Sequence, residues 1–316
     1  MKKLSILLIL AIIMVSVMGC STTTTNEGSI SIDHKAGTTV IDSPAKRVVV
    51  LEWIYGENLL ALGVQPVGMT DIPGFKKWLN IDAELSEDVV NLGTRGAANL
   101  EEIAALEPDL IISASYYEYD YELLTQIAPT IILNPFPQEG GEGEYGHMIS
   151  SIQKVATALG LEEKGNDVID SLEDAYSEAR SKLKEKDIDF NYIKIIDFST
   201  NDTVSLYLFT DTSLHSVILE KIGFNNLYVP DKFELYGQTN ISIENLVGLD
   251  NHSLMLIADK GSDVFSSNLI SQEVLDSLGF YANEKMYYLG SNASAFGPLS
   301  TLTFIDTVVK SFTENE

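Results

Sequence analysis

The stretch Leu161 to Lys186, LEEKGNDVIDSLEDAYSEARSKLKEK, decides how the rest of the chain is read. Its apolar residues Leu161, Val168, Leu172, Ala175, Tyr176, Ala179 and Leu183 recur at intervals of three, four and seven, the spacing of one helical face. Charge covers the other face, where Glu173, Glu178 and Lys182 fit i,i+4 pairing. The pattern predicts one long exposed helix of roughly 35–40 Å, at 1.5 Å per residue. Two architectures accommodate it: a rigid rod joining two α/β lobes with a ligand between them, or a surface helix on one large α/β domain. The flanks favour the rod because they echo each other. Asn99-Leu-Glu101-Glu-Ile-Ala-Ala-Leu106 leads to Leu110-Ile-Ile, and Ser242-Ile-Glu244-Asn-Leu-Val-Gly-Leu249 leads to Leu254-Met-Leu-Ile. Each is a cap, a glutamate at the second helical position, a leucine five later, a turn and an apolar strand.

A chain of 316 residues, 45% hydrophobic, is long enough for two domains with cores of their own. Its formal charge of −26 keeps it soluble and repels nucleic acid and other polyanions. The three arginines are Arg47, Arg95 and Arg180, and the one cysteine is Cys20. No intramolecular disulfide is possible, so the compartment is read from the leader. Lys2 and Lys3 precede an apolar run from Leu4 to Met18. That run is shorter than the roughly 20 residues of a membrane span and suits a signal peptide. It ends in Val17-Met18-Gly19-Cys20, followed by serine and four threonines, which resembles a bacterial lipoprotein signal. The resemblance implies cleavage before Cys20, diacylglycerol on its sulfur, and anchoring at the extracytoplasmic face of the membrane without a spanning helix. Residues 1–19 are then signal peptide. Residues 20–44 are a polar tether leading into an extended stretch around Thr38–Ile41.

Residues 45–160 read as an N-terminal α/β lobe. Arg47–Glu52 is an apolar run of buried-strand type, Tyr55–Leu62 a helix closed by Gly63, and Pro66–Met69 and Val89–Leu92 further strands. Gly93-Thr94-Arg95-Gly96 follows. Asn99, with Glu102 three residues on, forms a capping box for the next helix, then come strand Asp109–Ser113, helix Tyr121–Ile127 and strand Thr130–Asn134. Such alternation predicts a mostly parallel sheet, with ligands bound outside the carboxyl ends of its strands. Trp53 and Tyr55 fall there after the first strand, Trp78 in the loop after the second, Arg95 after the third, and Tyr116 and Tyr117 after the fourth. An aromatic rim with one arginine fits a bulky, partly apolar ligand carrying oxygen acceptors. Residues 161–186 are the linker helix. In residues 187–316, the C-terminal α/β lobe, strands are expected at Tyr192–Phe198, Leu206–Thr210, Ser253–Ala258 and Lys285–Leu289, with helices at Ser213–Ile222 and near Leu299–Phe312.

Gly141-Glu142-Gly143-Glu144-Tyr145-Gly146 matches G-x-G-x-x-G but follows two prolines rather than a strand, and its glutamates would repel a pyrophosphate. It reads as an entry to the helix His147–Leu159.

Several motifs together carry a family resemblance. Arg47-Val-Val-Val-Leu-Glu-Trp53, Ala61-Leu-Gly63-Val-Gln-Pro66-Val-Gly68, Gly93-Thr-Arg95 with Asn99-Leu-Glu101, and Pro108-Asp-Leu-Ile-Ile resemble ferric-siderophore binding proteins of ABC importers. Ile241-Ser-Ile-Glu244 and Phe296-Gly-Pro-Leu-Ser300 continue the likeness, which spans about residues 40 to 316. It implies two Rossmann-like lobes bridged by one long helix, and a monomer that captures an Fe(III)–siderophore outside the membrane and delivers it to a permease. The iron is held by the siderophore, with no direct metal ligand and no cofactor in the protein. Similarity is greatest to ferric-hydroxamate binders. There the resemblance assigns hydroxamate contacts to Arg95 and Tyr116, and matches family tryptophans to Trp78 and, in the second lobe, to Tyr236. The cleft aromatic expected near Ser294 is missing, and Phe296 stands in for it. Glu101 and Glu244 match glutamates that pair with permease arginines. Citrate, catecholate, haem and cobalamin complexes are the alternatives within the family.

Two other classes fit less well. A direct zinc or manganese binder needs converging histidines and carboxylates, and His34, His147, His215 and His252 are scattered over a tether, a helix start, a helix and a turn. A lipid-anchored hydrolase needs a nucleophile motif, and neither Gly-x-Ser-x-Gly nor His-Glu-x-x-His occurs.

Overall fold

The computed structural model describes residues 28–117, 121–136, 139–141, 143–247 and 252–314. The leader, Cys20 and the first part of the tether lie outside the described residues.

The chain enters through a hairpin, β1 (Ile30–His34) and β2 (Gly37–Ile41), paired antiparallel from Ile30↔Ile41 to His34↔Gly37. Much of the stretch expected as tether is therefore folded. The reason is period-two alternation, which turns Ile32 and Ile41 inward at 3% and 4% exposure. Thr39 Oγ1 donates to the Thr130 carbonyl at 2.7 Å, and the Lys35 amide donates to Ile132 at 2.8 Å.

The N-terminal lobe follows the expected alternation: β3 (Val48–Val50), α1 (Trp53–Ala61), β4 (Gly68–Met69), α2 (Ile72–Trp78), β5 (Val90–Asn91), the small hairpin β6 (Gly93–Thr94) and β7 (Ala97–Ala98), α3 (Leu100–Ala105), β8 (Leu110–Ala114), α4 (Tyr121–Ile127) and β9 (Thr130–Leu133). Its five-stranded sheet runs β5-β4-β3-β8-β9 and is parallel throughout. Val48, Val49 and Val50 are all fully buried, as a central parallel strand covered on both faces requires. Every residue of α1 from Trp53 to Leu60 is buried, so this helix is enclosed rather than amphipathic. Asn99 caps α3 by accepting from the amides of Glu101 and Glu102.

Two helices carry the chain across. In α5 (Glu144–Leu159), Met148 and Ile152 pack into the second lobe's core, while Val155, Ala156 and Leu159 pack into the first. The crossing thus begins before the rod. The helix expected over 161–186 is α6 (Glu162–Lys184), 23 residues without a break. Leu161 and Val168 touch the first core, and Leu172, Tyr176, Ala179 and Leu183 are buried in the second. Gly165 lets α6 lie close on α5, because a Cβ there would sit 2.7 Å from that of Ala156.

The second lobe contains β10 (Asn191–Asp197), β11 (Leu206–Phe209), α7 (Leu214–Lys221), β12 (Asn225–Asn226), β13 (Gln238–Ile241), β14 (Ser253–Ile257), α8 (Gln272–Ser277), α9 (Gly279–Ala282), β15 (Met286–Tyr288) and α10 (Pro298–Thr313). Its sheet runs β13-β11-β10-β14-β15, with β12 beside the start of β10. β14 and β15 are parallel to β10, whereas β11 is antiparallel to both its neighbours. The echo of Asn99–Leu106 is looser in structure than in sequence. Ser242 and Asn245 form a reciprocal cap, but they open only a 3₁₀ turn, Ile243–Leu246, before Val247 returns to extended backbone.

Candidate functional site

The first sheet reverses direction between β3 and β8. From β3 the chain moves out through β4 and β5, then returns to β8 and moves to β9 on the other side. A crevice opens at the carboxyl ends of such a pair, and the candidate site lies there.

Three segments meet at Glu52. This residue closes the apolar run of β3 and caps α1, accepting from the Trp53 amide at 2.7 Å, and it is 1% exposed. Arg95 Nη1 donates to its Oε1 at 3.2 Å. Tyr116 and Tyr117, which follow β8, both donate their hydroxyls to its Oε2. Burial and then the Glu52 charge hold both phenols protonated, well above the ordinary tyrosine range. For Arg95 burial disfavours the charge, and Glu52 more than restores it.

Arg95 reaches this point because it sits in the two-residue turn between β6 and β7. Gly96 completes the turn at φ +79°, a conformation that strains any side chain with a Cβ. The guanidinium stacks on the Trp53 ring at 3.6 Å. Trp53 Nε1 donates to the Asp71 carbonyl at 3.2 Å, and the Asp71 carboxylate stands 4.0 Å from Arg95 Nε. Trp53 fits beneath because residue 74 is glycine: a Cβ there would lie 2.5 Å from the indole.

A line of rings then crosses between the lobes. Tyr117 and Tyr116 lie 4.3 Å apart by centroids, Tyr116 and Phe136 5.0 Å, and Phe136 and Tyr236 5.0 Å edge-on. Tyr236 is 55% exposed. Beside the line is a small recess, about 40 Å³, whose lining includes Ile54, Tyr55, Phe136, Met148, Leu214 and Phe296.

Two carboxylates join helices here, Glu57 fully buried and Glu144 half-buried. Glu57 of α1 accepts from the Ser300 amide at 2.8 Å and hydroxyl at 2.9 Å, at the start of α10. Burial pushes its pKa up to about 7, against the pull of those donors. Glu144 of α5 accepts from the Leu214 amide at the start of α7, and burial pushes it up to about 8. Nearby, Lys194 is fully buried with Nζ 3.4 Å over the Phe209 ring, and desolvation drives its pKa well down. His215, also depressed by burial, accepts the Ala295 amide on Nε2 at 3.0 Å.

A family model described as periplasmic binding protein matches residues 48–293. The chain belongs to that family. The family is one of substrate-binding proteins. Among its relatives, the Fe(3+)-citrate-binding protein YfmC of Bacillus subtilis (strain 168) is 29% identical over 272 residues, covering 83% of this chain and 82% of the relative. The iron(3+)-hydroxamate-binding protein FhuD of Escherichia coli (strain K12) is 25% identical over 200 residues, 63% of this chain and 64% of the relative. The fold matches the crystal structure of the Fe3+–Desferal-bound siderophore binding protein FhuD from Vibrio cholerae, with a TM-score of 0.74 at 23% identity, covering 84% of this chain and 97% of that one.

In this periplasmic binding protein, the expected residues fall into four sets. Trp53, Arg95, Tyr116 and Tyr117 converge on Glu52, and Tyr236 joins them through Phe136. Tyr55 and Phe296 line the recess rather than a rim, Tyr55 at 0% exposure, because α1 begins directly after β3 and turns inward. Trp78 stands apart at the last turn of α2, 40% exposed, with Lys77 Nζ 4.5 Å over its ring. Glu101 and Glu244 are exposed at the second positions of α3 and of the 3₁₀ turn. Glu52, Phe136, Glu57 and Glu144 were not among the expected residues. A carboxylate ending an apolar strand run was the signal for Glu52. Nothing in the sequence marks the other three.

Proposed function

We propose that this protein captures an Fe(III)–siderophore, a ferric hydroxamate foremost, at the extracytoplasmic face of the membrane, and delivers it to an ABC permease. A lipid on Cys20 holds it there, and Glu101 and Glu244 meet the permease. The observation that carries the reading is Arg95 stacked on Trp53 beside Tyr116 and Tyr117 at the switch point of the sheet. The guanidinium has N–H groups beyond the one given to Glu52, so it can donate to iron-bound hydroxamate oxygens. The rings from Tyr117 to Tyr236 offer apolar cover for the siderophore backbone. The relatives named for ferric citrate and ferric hydroxamate support the same cargo class.

Ferric citrate is the second reading, on the strength of the relative named for it. It is anionic, and burying an anion calls for unpaired cationic donors, whereas Arg95 already faces Glu52 and Asp71. The test is tryptophan quenching during titration with iron-loaded hydroxamate, citrate and catecholate, and with haem and cobalamin. Tightest binding of the hydroxamate is expected. Saturation by cobalamin or haem with no response to any ferric siderophore would refute the reading.

A further inference from the structure

Glu52 has a role beyond capping a helix. Its carboxylate is 1% exposed, yet it holds one guanidinium and two phenols from two separate loops. Of the three arginines, Arg47 donates to the carbonyls of Leu106 and Glu107, and Arg180 lies on the linker helix α6. Arg95 is thus the one guanidinium at the crevice, and it is faced by Glu52 at 3.2 Å and Asp71 at 4.0 Å. The hydroxyl protons of Tyr116 and Tyr117 also point to Glu52. A ligand meeting this surface finds N–H donors and tyrosine lone pairs, but no net positive charge.

We propose that Glu52 is the charge-selectivity residue of the site, a buried counter-ion that makes the crevice reject anionic iron complexes and accept neutral or cationic ones. The inference rests on the siderophore reading and adds to it the basis of discrimination. An anion that approaches Arg95 closely must also approach Glu52, and their repulsion acts in a partly desolvated setting where screening is weak. A ferric tris-hydroxamate carries no negative charge and meets no such repulsion. A ferric tris-catecholate, at about −3, meets it in full. Discrimination therefore comes from a repulsive element as much as from an attractive one. Neutralising Glu52 leaves Arg95 with a single, more distant carboxylate partner and opens the crevice to anions.

The test is a competition titration of wild type, Glu52→Gln and Glu52→Asp with ferric desferrioxamine B, ferric dicitrate and a ferric tris-catecholate. Glu52→Gln keeps the size and removes the charge, so the anions should gain about tenfold or more relative to the hydroxamate. Glu52→Asp keeps the charge and shortens the reach, so the preference should persist. A ratio unmoved in Glu52→Gln, or moved equally in Glu52→Asp, overturns the assignment while leaving the siderophore reading intact. A wild type that binds none of the ferric complexes overturns both. Melting curves establish that each variant folds. Should Glu52→Gln fail to fold, Asp71→Asn carries the comparison, with a smaller shift in the same direction expected and an unmoved ratio overturning the proposal.

Discussion

Glu57 and Ser300 are 243 residues apart in sequence, yet the Glu57 carboxylate takes both the amide and the hydroxyl of Ser300. One end of this link is the buried helix of the first lobe, and the other is the opening turn of the last helix of the second. Gly297 makes the contact possible, since a Cβ there would stand 2.9 Å from Glu57 Cβ.

Burial of Glu57 at this link makes stability pH-dependent. Glu57 has a pKa of about 7 in the folded protein against an ordinary 4.5. Between those values the native state keeps a proton that the unfolded chain has released. Stability is therefore highest below pH 4.5 as far as this group is concerned, falls as pH rises toward 7, and levels off above it. Glu144, at about 8, extends the fall in the same direction. Melting temperatures from pH 5 to 8 should decline for wild type and decline less for Glu57→Gln. The Glu57 contribution is on the order of 3 kcal/mol across the window. Equal slopes for the two proteins would contradict the assignment.

Lobe closure on ligand should be small. α6 is one unbroken helix, α5 crosses beside it, and Glu57 and Glu144 tie both sides together. Bending α6 would break backbone hydrogen bonds with no proline to localise the kink. Small-angle scattering with and without ferric hydroxamate should give nearly superposable curves, and a large fall in radius of gyration would count against the rod.

Close packing of α5 on α6 depends on Gly165. Gly165→Val should lower stability by about 1–3 kcal/mol through overpacking against Ala156, read by denaturant unfolding. Siderophore affinity of the folded fraction should be unchanged.

Much of this architecture was legible beforehand. The three- and four-residue spacing of Leu172, Tyr176, Ala179 and Leu183 marks α6, and Val48–Val50 marks the centre of a parallel sheet. Strand ends were enough to bring Trp53, Arg95, Tyr116 and Tyr117 to one crevice, because the carboxyl end of a strand follows from chain direction alone. Of the hairpin Ile30–Ile41, the extended stretch around Thr38–Ile41 was read, while the strand Ile30–His34 and its pairing were hidden by a polar surround. Phe136 and Glu57 depend on how the second lobe meets the first, a long-range relationship that no local pattern encodes. Glu52 was read as the end of a strand because its partners come from residues 95, 116 and 117.

Charge reversal at the two positions proposed to meet the permease should separate transport from binding. Glu101→Lys and Glu244→Lys alter side chains exposed at the starts of α3 and of the 3₁₀ turn. Uptake of the ferric siderophore in cells should fall while affinity of the purified variants is retained. Loss of affinity in either variant would place that residue elsewhere than at a docking surface.

The most direct measurement of the central claim is calorimetric titration of ferric desferrioxamine B into wild type and Arg95→Ala. One site per chain is expected for wild type, with affinity weakened about 10- to 100-fold in Arg95→Ala, as loss of a charged hydrogen-bond donor predicts. Absence of binding to wild type, or equal affinity in the two proteins, would contradict the account.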